Sequence, residues 1–389
     1  MVPVERYALP DLNESVADLR ARIARTRWPT SISAEDWSRG VPTQYLKTVS
    51  EYWLHQFDWS RWQAELRALP HFRTEILGQP IHFLHFKSAR AATIPLVMTH
   101  GWPSSFLEFQ GVVQRLTNGD TDFGFDLVIP SLPGFGFSSP LMSFGWNHRR
   151  IAAAWAELMT LLGYERFAAC GGDTGSIVAP ALGQLFPDRV IGVHINGGLL
   201  QPKLTAQEYD ALTDDERRRI DFTSGLLRLG TGYADLQSTR PQSVGFALND
   251  SPVGLLGWMI DKYKEWTDPK KALPEDAIAL DHILSTISLY WITGTAASSA
   301  NLYFEVRHEN ETLPALPRTG VPVGVAVFPT DPILRQHAGS QFNIVHWSEY
   351  ERGGHFAAFE APDLYAQDLF AFVRTVLAGT SYPRAGVGQ

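Results

Sequence analysis

Apolar residues fall into successive rhythms along this chain. Between residues 11 and 70 they recur at helical spacing, with Leu12, Val16, Leu19 and Ile23 on one stripe and Trp53, Trp59 and Trp62 behind them, which predicts an N-terminal helical segment. Residues 72–88 alternate and predict a β-hairpin turning at Gly78-Gln79-Pro80. Six short, nearly continuous apolar runs follow, at 95–100, 125–133, 167–173, 190–197, 321–331 and 342–347, the pattern of parallel strands buried on both faces. Helical patterns at 151–163, 174–186 and 363–379 lie between and after them, so the chain reads as α/β with a mostly parallel central sheet. The strand rhythm stops between about residues 200 and 320. Helical text takes over there, opened by a capping-box pattern from Thr205 to Glu208, and it predicts a cap over the carboxyl edge of the sheet, where open α/β sheets hold their ligands. The expected division is an N-terminal segment (1–90), a core in two parts (91–200 and 320–389) and a helical cap (201–319).

Composition narrows the classes of function. With 389 residues, 44% of them hydrophobic and 19% charged, the chain can bury a large core. A net charge of −8 leaves no basic field for a nucleic acid or an anionic membrane. The single cysteine, Cys170, excludes an intrachain disulfide and any multi-cysteine metal site, suits a reducing, cytoplasmic setting, and at the end of an apolar strand reads as a core thiol. No run reaches the ~18 to 20 apolar residues of a membrane span, and the first residues lack a signal-peptide core, so a soluble chain without a membrane anchor is expected. The charged run from Asp214 to Arg219 reads as a solvated helix face, and the tail after Pro383 as frayed. Oligomeric state stays open, a homodimer included.

The chemistry concentrates at the ends of the predicted strands. Gly171-Gly172-Asp173-Thr174-Gly175 follows an apolar strand and precedes a helix, which is the layout of a nucleophile elbow, with a carboxylate where hydrolases usually carry serine. Small residues must flank the nucleophile at so sharp a bend, and Gly171 and Gly175 meet that demand. A carboxylate has little use against a carbonyl, but it can displace a leaving group at saturated carbon and form an ester that water then cleaves. Asp173 as a plain helix cap is the competing reading. His100-Gly101-Trp102-Pro103 follows the strand at 95–100, where such enzymes supply one oxyanion-hole amide, the other coming from the residue after the nucleophile; Trp102 and Thr174 are the candidates, with His100, Gly101 and Pro103 supporting the loop. His355, in Gly353-Gly354-His355-Phe356 ahead of the last helix, stands where the base belongs. Asp331 closes the preceding strand and is the orienting acid, with Glu349 and Glu351 as weaker choices. The glycines of Leu132-Pro133-Gly134-Phe135-Gly136-Phe137-Ser138 lack the spacing of a nucleotide loop, and this segment reads as site-lining backbone with an aromatic wall. No metal and no organic cofactor are implied.

Taken together and in this order, these motifs resemble the epoxide hydrolases of the α/β-hydrolase fold, and in particular their microsomal-type branch. The resemblance extends over nearly the whole chain, through Asp36-Trp37, Tyr52-Trp53, Phe57-Asp58-Trp59 and Ile81-His82-Phe83 near the start, residues 247–266 in the cap, and 353–360 at the base loop. It implies that a small hydrophobic epoxide is hydrolysed to a vicinal diol through an ester on Asp173, and that two cap tyrosines protonate the epoxide oxygen. Tyr233 and Tyr303 stand at the matching places. The membrane anchor of many relatives is not carried over. A haloalkane dehalogenase would want Trp after the nucleophile, where Thr174 stands, and Asn where Trp102 stands; a non-catalytic binder of hydrophobic ligands would have no use for the full constellation.

Overall fold

The computed structural model describes residues 3–30, 36–119, 123–197 and 204–379, and the tail expected to fray after Pro383 lies outside them. Nine strands form one sheet among the described residues: β1 (Glu5–Arg6), β2 (His71–Ile76), β3 (Gln79–Phe86), β4 (Thr93–Thr99), β5 (Gly124–Pro130), β6 (Phe167–Gly171), β7 (Val190–Ile195), β8 (Pro322–Val327) and β9 (Asn343–Glu349), in the order β1-β2-β3-β5-β4-β6-β7-β8-β9. The first three are antiparallel to their neighbours, and the pairs from β5 through β9 are parallel. All residues of β5, β6 and β7 are buried, as expected of strands covered by helices on both faces. The mostly parallel α/β sheet read from the apolar rhythm is therefore present.

Two local expectations need correction. The hairpin turns on Leu77 and Gly78, with φ of 53° and 75°, while Gln79 and Pro80 already pair with Ile76 and Glu75. A two-residue turn left-handed at both positions matches the twist of its strands, and the buried Gln79 amide is taken up in hydrogen bonds to Ser138 O, Pro140 O and Met142 N. The charged run is not wholly solvated either: Arg219 turns inward and pairs with Glu349 at 2.9 Å.

Helices from Ala206–Asp210 to Ala296–Thr312 occupy the stretch without strands, and the Thr205–Glu208 capping box is formed. The N-terminal helices pack on this layer: the Trp53 indole donates to Ser288 Oγ at 3.0 Å in a buried contact, and Tyr45 donates to Glu275 at 2.6 Å. Cys170 is a buried core thiol beside the Tyr365 hydroxyl, and burial pushes it up to about 12. No helix of the described residues is long and apolar enough to cross a membrane.

The topology gathers four loops at one edge. β4, β6, β7 and β8 run parallel, so the segments after Thr99, Gly171, Ile195 and Val327 emerge side by side on the edge facing the cap helices, and these segments carry the chemistry-bearing residues.

Candidate active site

The bend after β6 is tight enough to dictate its own residues. Asp173 has φ of 50°, a left-handed conformation that costs a non-glycine residue energy and persists only where the surroundings enforce it. They do so by contact: a Cβ at Gly171 or Gly175 would overlap the Thr99 carbonyl, and one at Gly101 would overlap Asp173 Oδ1. The helix Gly175–Leu185 starts at once, with the Ser176 amide and hydroxyl both donating to the Asp173 carbonyl. The carboxylate therefore stands at the positive end of a helix.

Its two oxygens have different surroundings. Oδ1 accepts from the Trp102 amide at 3.0 Å and from the Thr174 hydroxyl at 3.1 Å, and the Thr174 amide also favours the charged carboxyl. Oδ2 lies 3.3 Å from His355 Nε2, in ion-pair range but off the line of a directed hydrogen bond. Burial disfavours the Asp173 anion, yet His355 and the two amides outweigh it and hold the group below the usual carboxylate range. For His355 burial likewise opposes the charge, and Asp173, then Asp331, raise it above its ordinary value.

His355 is anchored from several sides. The His355 amide donates to Trp266 O at 2.9 Å, and the Trp266 ring lies 5.0 Å from the imidazole. Gly354 leaves no room for a side chain against the backbone of Trp266 and Thr267. Asp331 Oδ2 accepts from the Phe328 amide at 2.9 Å and the Gly197 amide at 3.3 Å, and its carboxylate couples to His355 through charge. Burial pushes Asp331 up to about 6 against those interactions. Of the alternative acids, Glu349 is engaged with Arg219 and the Trp347 indole, and Glu351 is exposed.

The loop after β4 is held as a unit. His100 Nε2 accepts from the Leu132 amide at 3.2 Å and Nδ1 donates to Gly101 O at 3.0 Å, a neutral tautomer that fits a ring pushed down to about 4 by burial. The Trp102–Pro103 bond is cis, and Pro103 O and Ser104 O accept from the cap phenols Tyr263 and Tyr290 at 3.3 and 2.7 Å. Phe135 packs on His100, whereas Phe137 turns away to His71 and His82.

Opposite the elbow stand the two cap tyrosines. Tyr233 stacks on Trp102 with centroids 5.1 Å apart and planes at 10°; Tyr303 meets Trp102 edge-on at 5.8 Å and Tyr233 at 5.7 Å. Both phenols feel the Asp173 charge, and burial first, then that charge among others, keeps them above the usual phenol range. The fold thus brings Asp173, His355, Asp331, Trp102, Thr174, Tyr233 and Tyr303 to one aromatic-walled place.

Sequence reasoning missed the Thr174 hydroxyl, Trp266 and two acids, Glu108 buried and Glu360 half-buried. Glu108, in the turn Phe106–Phe109, is pushed up to about 7 by burial and interacts with both His355 and Asp173. Glu360 accepts from the Phe356 and Asp268 amides at 3.1 and 2.7 Å and is pushed up to about 8 by burial. The available signal was a lone carboxylate in each apolar run, Ser105-Phe106-Leu107-Glu108-Phe109 and Phe356-Ala357-Ala358-Phe359-Glu360.

Comparison with known proteins assigns the chain to a family. The family model of the epoxide hydrolase N terminus matches residues 5–109, and that of the alpha/beta hydrolase fold matches residues 94–362. A Stigmatella aurantiaca protein, named provisionally as an epoxide hydrolase, is 43% identical over 373 residues, covering 94% of this chain and 83% of its own. Epoxide hydrolase 1 of Sus scrofa is 34% identical, covering 95% and 88%. Among solved structures, the Aspergillus niger epoxide hydrolase superposes with a TM-score of 0.85 at 32% identity, covering 97% of each chain.

Proposed function

This chain belongs to the epoxide hydrolases of the α/β-hydrolase fold, and we propose that it converts hydrophobic epoxides to vicinal diols through an ester on Asp173. The observation that carries the residue assignment is the asymmetry of that carboxylate. Oδ1 is held by the Trp102 amide and Thr174, which leaves Oδ2 as the attacking atom.

In the first half-reaction Oδ2 bonds to a ring carbon as the carbon–oxygen bond breaks, and the oxygen takes a proton from Tyr233 or Tyr303. In the second, a water beside His355 Nε2 gives its proton to the imidazole and attacks the ester carbonyl. The oxyanion forms on Oδ1, where donors already stand, an arrangement worth about 10²–10³ in rate per donor. Collapse releases the alkoxide, which takes the proton from the imidazolium. The regenerated Asp173 carboxyl then gives up a proton, and the phenol is restored. Epoxide and water are the only net reactants.

The charges time the two steps. While Asp173 is an anion it is the strongest favourable influence on the His355 cation. Esterification removes that anion, and His355 falls back toward neutral, the form that can accept a proton from water. Asp331 persists through both steps and stabilises the imidazolium when it forms. The aromatic walls of Trp102, Trp266, Tyr233 and Tyr303 support a lipophilic substrate.

The test is His355→Gln incubated with styrene oxide and read by intact mass and peptide mapping. Attack at carbon does not need the base, so a stable adduct of one substrate mass on Asp173 is expected, with diol formation reduced by about 10³-fold or more. An unmodified protein, or an adduct at another residue, overturns the assignment.

A further inference from the structure

Lysine is almost never buried without partners, and Lys262 is buried in the cap helix Pro252–Trp266, one helical turn from the Trp266 that packs on the base. Its ammonium donates to Glu265 Oε2 at 2.5 Å and Gly230 O at 3.5 Å and forms an ion pair with Asp261 Oδ2 at 3.1 Å. It also stands 5.1 Å from the centroid of the Tyr233 ring, the same ring that stacks on Trp102. Two carboxylates would suit an exposed lysine equally well. The placement over this particular ring is what pairing alone leaves unexplained.

We propose that Lys262 is a positioning residue for epoxide opening: its buried ammonium holds the Tyr233 ring against Trp102 and supports the negative charge that develops on the ring as its proton leaves. The inference rests on the reading of Tyr233 as a proton donor. The groups facing that phenol are Asp173, Tyr303, Glu265 and Lys262. Burial and Asp173 make proton loss harder at the start. As the ester forms, the Asp173 charge is consumed, and at that moment negative charge appears on the phenol. Lys262 is then the cation within cation–π range of the ring, and the attraction grows because the ring itself becomes anionic. Glu265 and Asp261 fix the ammonium and offset part of its field, so the effect is moderate.

The experiment measures the rate of ester formation on Asp173 in the His355→Gln background, where alkylation is isolated from hydrolysis. Lys262→Met is expected to slow alkylation about tenfold, in line with a desolvated cation–π contact, and Lys262→Arg to recover most of that loss. With Tyr233→Phe already present, Lys262→Met should cost less than about twofold more, because the group it acts through is gone. An equal slowing in the Tyr233→Phe background, or an arginine variant as slow as methionine, overturns the proposal and leaves the lysine a packing residue. If Tyr233→Phe does not slow alkylation, the donor reading itself fails and the lysine proposal with it, a result distinct from either of the others. Should Lys262→Met not fold, Glu265→Gln supplies the test with the opposite sign: with the offsetting anion removed, alkylation should quicken about two- to threefold, and an unchanged or lower rate overturns the proposal.

Discussion

Two aspartate–histidine couples among the described residues put the same side chains to different use. Asp368, in the helix Pro362–Gly379, accepts from His194 at 2.7 Å, His346 at 2.9 Å and the Tyr350 hydroxyl at 2.8 Å. Its backbone is helical and its partners are in line. Asp173 is the opposite in each respect. Its backbone is left-handed, its contact with His355 is 3.3 Å and off line, and His355 Nε2 has no directed partner. The same two residue types thus serve two ends. Where both carboxylate oxygens accept directed hydrogen bonds, the couple ties a strand to a helix; where one carboxylate oxygen is left for something else, against an aromatic chamber, the couple can react.

The largest test of that contrast is to neutralise the open couple. Asp173→Asn keeps the size of the side chain, and asparagine tolerates the left-handed backbone, so the fold should persist while diol formation falls at least about 10⁴-fold. Activity within tenfold of wild type would place the nucleophile elsewhere.

Breaking the closed couple should do the reverse. Asp368→Ala leaves buried His194 without its acceptor and should lower stability in urea by about 3–5 kcal/mol, with kcat in the folded enzyme unchanged within about twofold. The sign of its pH dependence follows from the same contacts. Burial alone would raise Asp368, but His194 and His346 hold it well below the usual carboxylate range. A carboxyl lowered in the folded state stabilises above its unfolded value, near 4, and loses that contribution as pH falls through the folded one. Wild type should therefore weaken from about pH 4 downward more steeply than Asp368→Ala, as melting temperatures across pH 2–7 would reveal.

A finer probe asks whether the donors on Oδ1 act in hydrolysis or merely hold the resting carboxylate. Thr174→Val removes the hydroxyl and keeps both amides. Ester hydrolysis should slow roughly tenfold, less than the about 10²–10³ of a lost backbone donor, while alkylation slows less. Equal slowing of both halves would make the hydroxyl a ground-state prop.

How much of this was legible beforehand differs by residue. Asp173, His355 and Asp331 could be read because each sits in a short motif at the end of an apolar strand, and strand ends in a parallel sheet share one edge. Tyr233 and Tyr303 could not be read that way: nothing in Gly232-Tyr233-Ala234 or Leu302-Tyr303-Phe304 separates them from ordinary core tyrosines, and only the resemblance to a family singled them out. Glu108, Glu360, Trp266 and the Lys262 ammonium were not singled out, since a charge or ring within an apolar helix has many uses until its neighbours are known. The hairpin turn was misplaced by a residue or two because Leu77 is a poor-looking turn former, held there by the pairing of Ile76 with Gln79.

The sequence by itself determined the periodic features: which stretches bury both faces, where helices replace strands, and which glycines flank a carboxylate at a bend, since these depend on neighbours a few positions apart. Tertiary structure alone decided which aspartate has both oxygens engaged and which keeps one open, because that depends on atoms brought together from 134 to 182 positions apart along the chain, such as Gly197 with Asp331, His194 with Asp368 and Asp173 with His355. Hydrogen-bond satisfaction is a property of the folded neighbourhood, and no local pattern encodes it.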